Sequence, residues 1–141
     1  MVKVFIDTNV FIDYIACRED FYQPAATIVA LAYKKKISLL VSSLSFATGS
    51  YLLEIHYRKS PAEIRASYKR LCALCEITAI DSQSVAQSIT SPFEDFEDSM
   101  QYYSATTAQA DYIITRDKSG FKHSAIPVYK PQEFLEMLLA Q

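Results

Sequence analysis

Five short runs rich in β-branched and aromatic residues punctuate the chain: Val2–Ile6, Ile37–Val41, Glu76–Ile80, Asp111–Thr115 and Ile126–Tyr129. The stretches between them carry apolar residues at helical spacing. Strands that alternate with helices cannot pair as hairpins; they build an α/β domain around a mainly parallel sheet. This alternation constrains the fold more than any other feature, and it predicts four to five parallel strands between helical layers.

Helix boundaries follow from local signals. A helix is expected from about Asn9, with Val10, Phe11, Tyr14 and Ile15 as its apolar stripe. Pro24 marks the start of a second, closed by Lys34–Lys36, where cations suit the helix dipole. A third begins near Ser43, with Leu44, Ala47, Tyr51 and Ile55 on one face. Ser60–Glu63, "SPAE", is a capping box with proline at the first helical position, and its helix should run to about Cys75. A short helix follows Ser82. The same signature at Ser91–Glu94, "SPFE", predicts a helix from Pro92, its apolar stripe formed by Phe96, Met100, Tyr103 and Thr107. Pro131 opens the last helix.

With 141 residues, the chain is long enough to bury roughly 70% of its unfolded surface as one unit, residues 1–141. Half of it is hydrophobic and a fifth charged, as in soluble proteins. There is no membrane-length apolar run, and the N-terminal one is broken by Asp7, which argues against a signal peptide. A cytoplasmic location is expected. The three cysteines are too few for a disulfide scaffold. Cys72 and Cys75 form a CxxC, read as helix packing, because a zinc site would want more ligands than His56 and His123 can supply. Two glycines, Gly49 and Gly120, leave no material for a P-loop or dinucleotide fingerprint. Net charge is −2, so nucleic-acid binding would rest on local patches.

In open parallel sheets, ligands bind beyond the carboxyl ends of the strands. Asp7 and Asp117 fall there, after "VFI" and "YIITR". Asp95 and Asp98 share a helix face three residues apart. If Asp7, Asp98 and Asp117 converge to about 5 Å, each like-charge pair costs roughly 3 kcal/mol at an effective dielectric near 20. Three pairs approach about 10 kcal/mol, the whole stability of a domain, so the site must hold protons or a cation. Carboxylate oxygens suit Mg²⁺ or Mn²⁺. Phe-Ile-Asp occurs twice in "VFIDTNVFIDY", yet Asp13 lies away from its helix's apolar stripe and is expected merely to cap a helix or face solvent. Thr8 or Asn9, rather than Asp7, is expected to cap that helix.

"FIDTNVFIDY", "DFEDSMQYYSA" and "ADYIITRDKSGF", followed by "IPVYKPQEFLE", together resemble a PIN domain over nearly the whole chain. The resemblance is to the VapC-like branch, the toxins of type II toxin–antitoxin pairs. It implies a three-layer α/β/α fold and an Mg²⁺- or Mn²⁺-dependent endoribonuclease. Asp7, Asp98 and Asp117 would hold the metal, with Asn9 and Thr115 supporting them through hydrogen bonds. A cognate antitoxin and a homodimer are implied as partners, and no membrane. The chain departs from the family in one place: Thr48 stands where a glutamate is usual on the helix after the second strand. Asp95 is the expected replacement, with Glu54 two turns too far along. Gly49, inside a helix, is expected to mark close packing.

RNA would need cations near the site. Arg116 and Lys118 are the first candidates, then Lys122, with Arg58, Lys59, Arg65 and Lys69 read as a solvated helical face. Two other phosphate-handling architectures fit less well. A haloacid-dehalogenase-like phosphatase wants an aspartate at Asn9, and a response-regulator receiver wants an acidic pair where "IDTN" offers one acid. The alternative from another class is a PIN-like protein that binds RNA or a protein partner without cutting, which Thr48 would favour.

Overall fold

The computed structural model describes residues 1–141. Strands β1 (Lys3–Ile6), β2 (Ser38–Ser42), β3 (Cys75–Thr78), β4 (Tyr112–Ile114) and β5 (Val128–Tyr129) alternate with helices α1 (Thr8–Ile15), α2 (Tyr22–Tyr33), α3 (Ser43–Ile55), α4 (Pro61–Cys72), α5 (Ser82–Ile89), α6 (Phe96–Thr107) and α7 (Pro131–Leu139). All five strands are parallel, in the order β3-β2-β1-β4-β5. The chain steps outward from β1 to β2 and β3, then returns to place β4 on the other side of β1. That reversal between β1 and β4 opens a crevice at their carboxyl ends.

Alternation along the strands sends side chains to two faces. Val4, Ile6, Leu39, Val41 and Ile114 join the larger core beneath α1, α2, α3, α4 and α7. Phe5, Leu40 and Ile113 point the other way, against Ala105 of α6 and Phe121. The sheet is thus covered on both faces, as a parallel sheet must be, and the three-layer α/β/α expectation holds. No helix is long and apolar enough to cross a membrane.

Local signals hold in part. Ser60 and Glu63 form the reciprocal capping box of α4, and Gly49 lets α3 approach closely, since a Cβ there would stand 2.6 Å from the Phe11 ring. The second capping signature does not start a helix. α6 begins four residues later than Pro92, at Phe96, capped by Asp95, whose carboxylate accepts from the Asp98 amide at 2.9 Å. An aspartate cap followed by two further acids competes better for the helix start. Meanwhile Ser91 donates back to Ser88, and Phe93 is drawn into a ring cluster with Tyr102, Tyr103 and Phe121.

Two helices bury a face other than the expected one. In α3, Tyr51 and Ile55 are exposed and Ser45, Gly49 and Leu53 are inside. In α6, Phe96 is exposed, and the buried residues are Ser99, Gln101, Ser104 and Ala105. The inner faces of both helices are small or polar because they meet one another's hydroxyls and the strand ends, as the site makes plain.

Candidate active site

Asp7 follows β1, and its amide completes the sheet by donating to the Ile114 carbonyl at 2.9 Å. Its side chain, contrary to expectation, is the cap of α1: Oδ1 accepts from the Thr8 amide at 2.8 Å. Oδ2 accepts from the Thr115 hydroxyl at 2.8 Å. Only 7% of Asp7 is exposed, and burial raises its carboxyl above the ordinary range despite these donors. Capping and a further role are compatible, because an ionised carboxylate has about four lone-pair sites.

Thr115 joins the two strand ends. Fully buried, its hydroxyl donates to Asp7 while accepting from Asn9 Nδ2 and from the Asp117 amide, both at 3.2 Å. Asn9 turns its other atom, Oδ1, to accept from the Arg116 amide at 3.2 Å. The loop after β4 is thereby fixed to the start of α1 by three polar contacts. Asp117 is exposed, and its Oδ1 accepts from the Ser119 hydroxyl at 2.5 Å, holding the turn Lys118–Phe121.

Asp98 reaches the same crevice from α6. It lies against Gly120, where a Cβ would crowd Asp98 Oδ2, so a side chain there would push the carboxylate aside. Partial burial and then the charges of Asp7, Asp95, Asp117 and Glu97 push the Asp98 carboxyl up to about 7. Asp7, Asp98 and Asp117 therefore do share one electrostatic field. A cleft of about 300 Å³ opens over Asp95, Asp98, Asp117 and His123. No three acidic, histidine or cysteine side chains stand at ready-made ligand spacing. Oxygen atoms are nonetheless the only donors the acids offer, a set that fits a hard divalent cation and not a soft one.

Three features escaped the sequence. Gln101 is fully buried, its Nε2 donating to Thr8 Oγ1 at 2.7 Å and Ser45 Oγ at 2.9 Å, with Asp7 Oδ1 at 3.4 Å. The Ser42 hydroxyl donates to its Oε1. This single amide ties α6, α1, β2 and α3 together behind Asp7. Second, Asp13 does not face solvent: it is 1% exposed and takes Arg116 Nε at 2.6 Å and Arg18 Nη1 at 3.5 Å. Both guanidiniums lie over Phe21, at 4.1 and 5.0 Å from the ring centre. The two Phe-Ile-Asp segments thus end in different roles, one at the acidic crevice and one anchoring arginines. Third, Glu97 is half-buried beside Thr48, and burial followed by the charge of Asp7 raises its carboxyl.

Two of the remaining candidate cations are paired at the surface. Lys118 pairs with Glu133 at 3.2 Å and Lys122 with Glu94 at 3.1 Å. Arg58, Arg65 and Lys69 are exposed and Lys59 half-buried. Cys72 ends α4 in solvent, and burial beside it pushes the Cys75 thiol up to about 12.

A family model described as PIN domain matches residues 3–119. Ribonuclease VapC1 of Aquifex aeolicus (strain VF5) is 29% identical over 140 residues, 95% of this chain and 94% of the relative. Among solved structures, VapBC2 from Rickettsia felis, bound to a DNA fragment from its promoter, aligns with a TM-score of 0.64 at 16% identity. That alignment covers 92% of this chain and 98% of the other. VapC20 of Mycobacterium tuberculosis, described as a Sarcin-Ricin loop cleaving toxin, gives 0.63 at 14% identity, covering 84% and 95%.

Proposed function

The chain belongs to the PIN-domain family, and on that premise we propose that it is a divalent-metal-dependent endoribonuclease, the toxin of a type II toxin–antitoxin pair. The observation that carries the reading is Asp98, seated on Gly120 and raised to about 7 among Asp7, Asp95, Asp117 and Glu97. Folding alone gains nothing from such a group. A carboxylate kept where its neighbours repel it is the mark of a site that uses charge.

Asp7, Asp98 and Asp117 would hold Mg²⁺ or Mn²⁺, and their oxygen-only donors fit either ion. When bound, the cation lowers the pKa of a water and stabilises charge on the phosphoryl oxygens of an RNA phosphodiester. Thr115 and Asn9 support by fixing Asp7 and Asp117 in register. Gln101 backs Asp7 with a longer contact at 3.4 Å, adding to the bonds from the Thr8 amide and the Thr115 hydroxyl that orient its carboxylate. Asp95 fixes the amide of Asp98 and adds an outer negative charge. Arg116, anchored on Asp13, and Lys118 would meet the RNA backbone at the rim.

The name of the Aquifex relative supports RNA cleavage, and the likeness to toxins of the VapC kind supports an antitoxin partner. Exposed Tyr51 and Ile55 on α3 supply an apolar face for a protein contact, with the antitoxin or in a homodimer. Thr48 favours one other reading, a PIN-like protein that binds RNA or a partner without cutting.

Cleavage of labelled single-stranded RNA in Mg²⁺, in Mn²⁺ and in chelator tests the choice, with Asp98→Asn and Asp95→Ser beside wild type. Metal-dependent cutting that Asp98→Asn abolishes is expected. Retained cutting in chelator, or none by wild type in either metal, overturns the nuclease reading.

A further inference from the structure

Consecutive residues on a helix diverge by about 100°, so Glu97 and Asp98 leave α6 in different directions. Asp98 turns to Gly120 and the cleft above Asp117. Glu97 turns toward α3, into a second cavity of about 540 Å³ whose walls include Thr8, Asn9, Thr48 and Arg116. Thr8 and Asn9, which follow Asp7 directly, line this second cavity, and the charge of Asp7 is felt by both Glu97 and Asp98.

An acid in the first turn of a helix needs little explanation when it faces water, because the helix dipole favours it there. Glu97 is only partly open to water. It is half-buried, forms no ion pair, and is the one carboxylate in its cavity. Arg116 and Arg18, the guanidiniums on the same walls, are committed to Asp13. Thr48 of α3 lines the same cavity as Glu97, bringing a hydroxyl and no charge. Asp95, in contrast, is exposed at the mouth of the other opening and spends an oxygen on the Asp98 amide.

We propose that Glu97 is a fourth carboxylate of the cation site, holding the divalent ion or one of its waters from the α3 side of Asp7, with Thr48 as its positioning partner. The inference rests on the reading of Asp7, Asp98 and Asp117 as the cation site. It makes the acidic centre two-sided: Asp98 closes one flank of Asp7 and Glu97 the other.

Mn²⁺ affinity measured by titration calorimetry tests this without reference to activity. Glu97→Gln is expected to weaken Mn²⁺ binding at least about tenfold, the scale seen when a metal-site partner is lost. Because Thr48 stands across the same gap, the double variant Thr48→Glu/Glu97→Gln, which moves the charge from α6 to α3, is expected to recover most of that loss. Thermal unfolding in chelator shows which variants are folded, and Glu97→Asp, one methylene shorter, serves if the glutamine variant is not. Wild-type affinity in Glu97→Gln while Asp98→Asn binds nothing overturns the role of Glu97 and leaves the site standing. Wild-type affinity in both variants overturns the site itself.

Discussion

The acids in this chain show how burial and partners, not residue type, set what a carboxylate does. Asp98, held at about 7 against an ordinary 3.8, binds a proton in the folded protein over a range where the unfolded chain has released it. Between those values the native state holds more protons than the unfolded one, so stability falls as pH rises from about 4 to about 7. Asp7 and Glu97 are raised too and add to the same slope. The lowered groups, Glu63, Asp81 and Glu133, oppose this only at the acid end of the range, where their contribution is lost as pH falls below about 4.5. Metal-free protein is therefore expected to melt at progressively lower temperature from pH 4.5 to 7, and Asp98→Asn to flatten that trend; an unchanged slope in the variant contradicts the assignment. Asp13 is the opposite case, a buried acid satisfied by two guanidiniums. Replacing it leaves Arg116 and Arg18 without their anion, so Asp13→Asn is expected to cost about 2 kcal/mol in urea unfolding. In Asp13→Asn/Arg116→Gln the loss should be smaller than the sum of the single losses. Additivity would mean that the pair does not couple. Local sequence shows only the weaker of its two partners, Arg18 at 3.5 Å; the closer one, Arg116, lies 103 positions away.

At the scale of elements, glycine scarcity shapes the helix ends. Both glycines serve close approach, Gly49 to Phe11 and Gly120 to Asp98, which leaves none for the left-handed position after a helix. Cys17, Lys35 and Gln109 take it after α1, α2 and α6 with φ of 53°, 59° and 61°. After α2 the Lys36 amide donates to Leu31 and the Lys35 amide to Ala32, the hydrogen-bond pair that usually selects glycine. A side chain in that conformation is strained, so Lys35→Gly is expected to stabilise by about 0.5–1 kcal/mol in chemical denaturation. Destabilisation would mean that Lys35 makes a contact worth more than the strain. Element order and type were legible because parallel strands buried on both faces must be short apolar runs, and prolines at Pro61 and Pro131 do open helices. The faces of α3 and α6 were not legible. Periodicity assigns the core side to the larger apolar residues, but here Gln101, Ser45 and Ser42 turn inward because they satisfy one another. The SPFE segment misled for a related reason: a capping pattern is a local preference, and Asp95, the next residue, offered the helix a better start.

For the whole molecule, the fold does the work of collecting charge. Asp7 and Asp117 come from two strands that are neighbours only because the sheet order reverses, and Asp98 and Glu97 arrive on a helix laid across the strand ends. That much of the site could be read from strand ends and one helix face; Glu97 could not, since its significance depends on what α3 places opposite it. The collected charge opposes folding until a cation or protons neutralise it, so a divalent ion bound there would raise stability. A ligand that binds only the native state at 100 times its Kd adds about 2.7 kcal/mol, and for a chain of this size that raises Tm by about 5–10 °C. Mg²⁺ or Mn²⁺ is expected to produce such a rise. It should be larger at pH 8 than at pH 5.5, because below about 7 the ion must displace the proton from Asp98. Asp98→Asn should lose most of the rise at both pH values. Differential scanning calorimetry at fixed ionic strength separates this from general screening, which monovalent salt would reproduce. An equal rise in wild type and Asp98→Asn would place the ion elsewhere on the molecule, and the acidic crevice would then be a cost of the fold with no cation to relieve it.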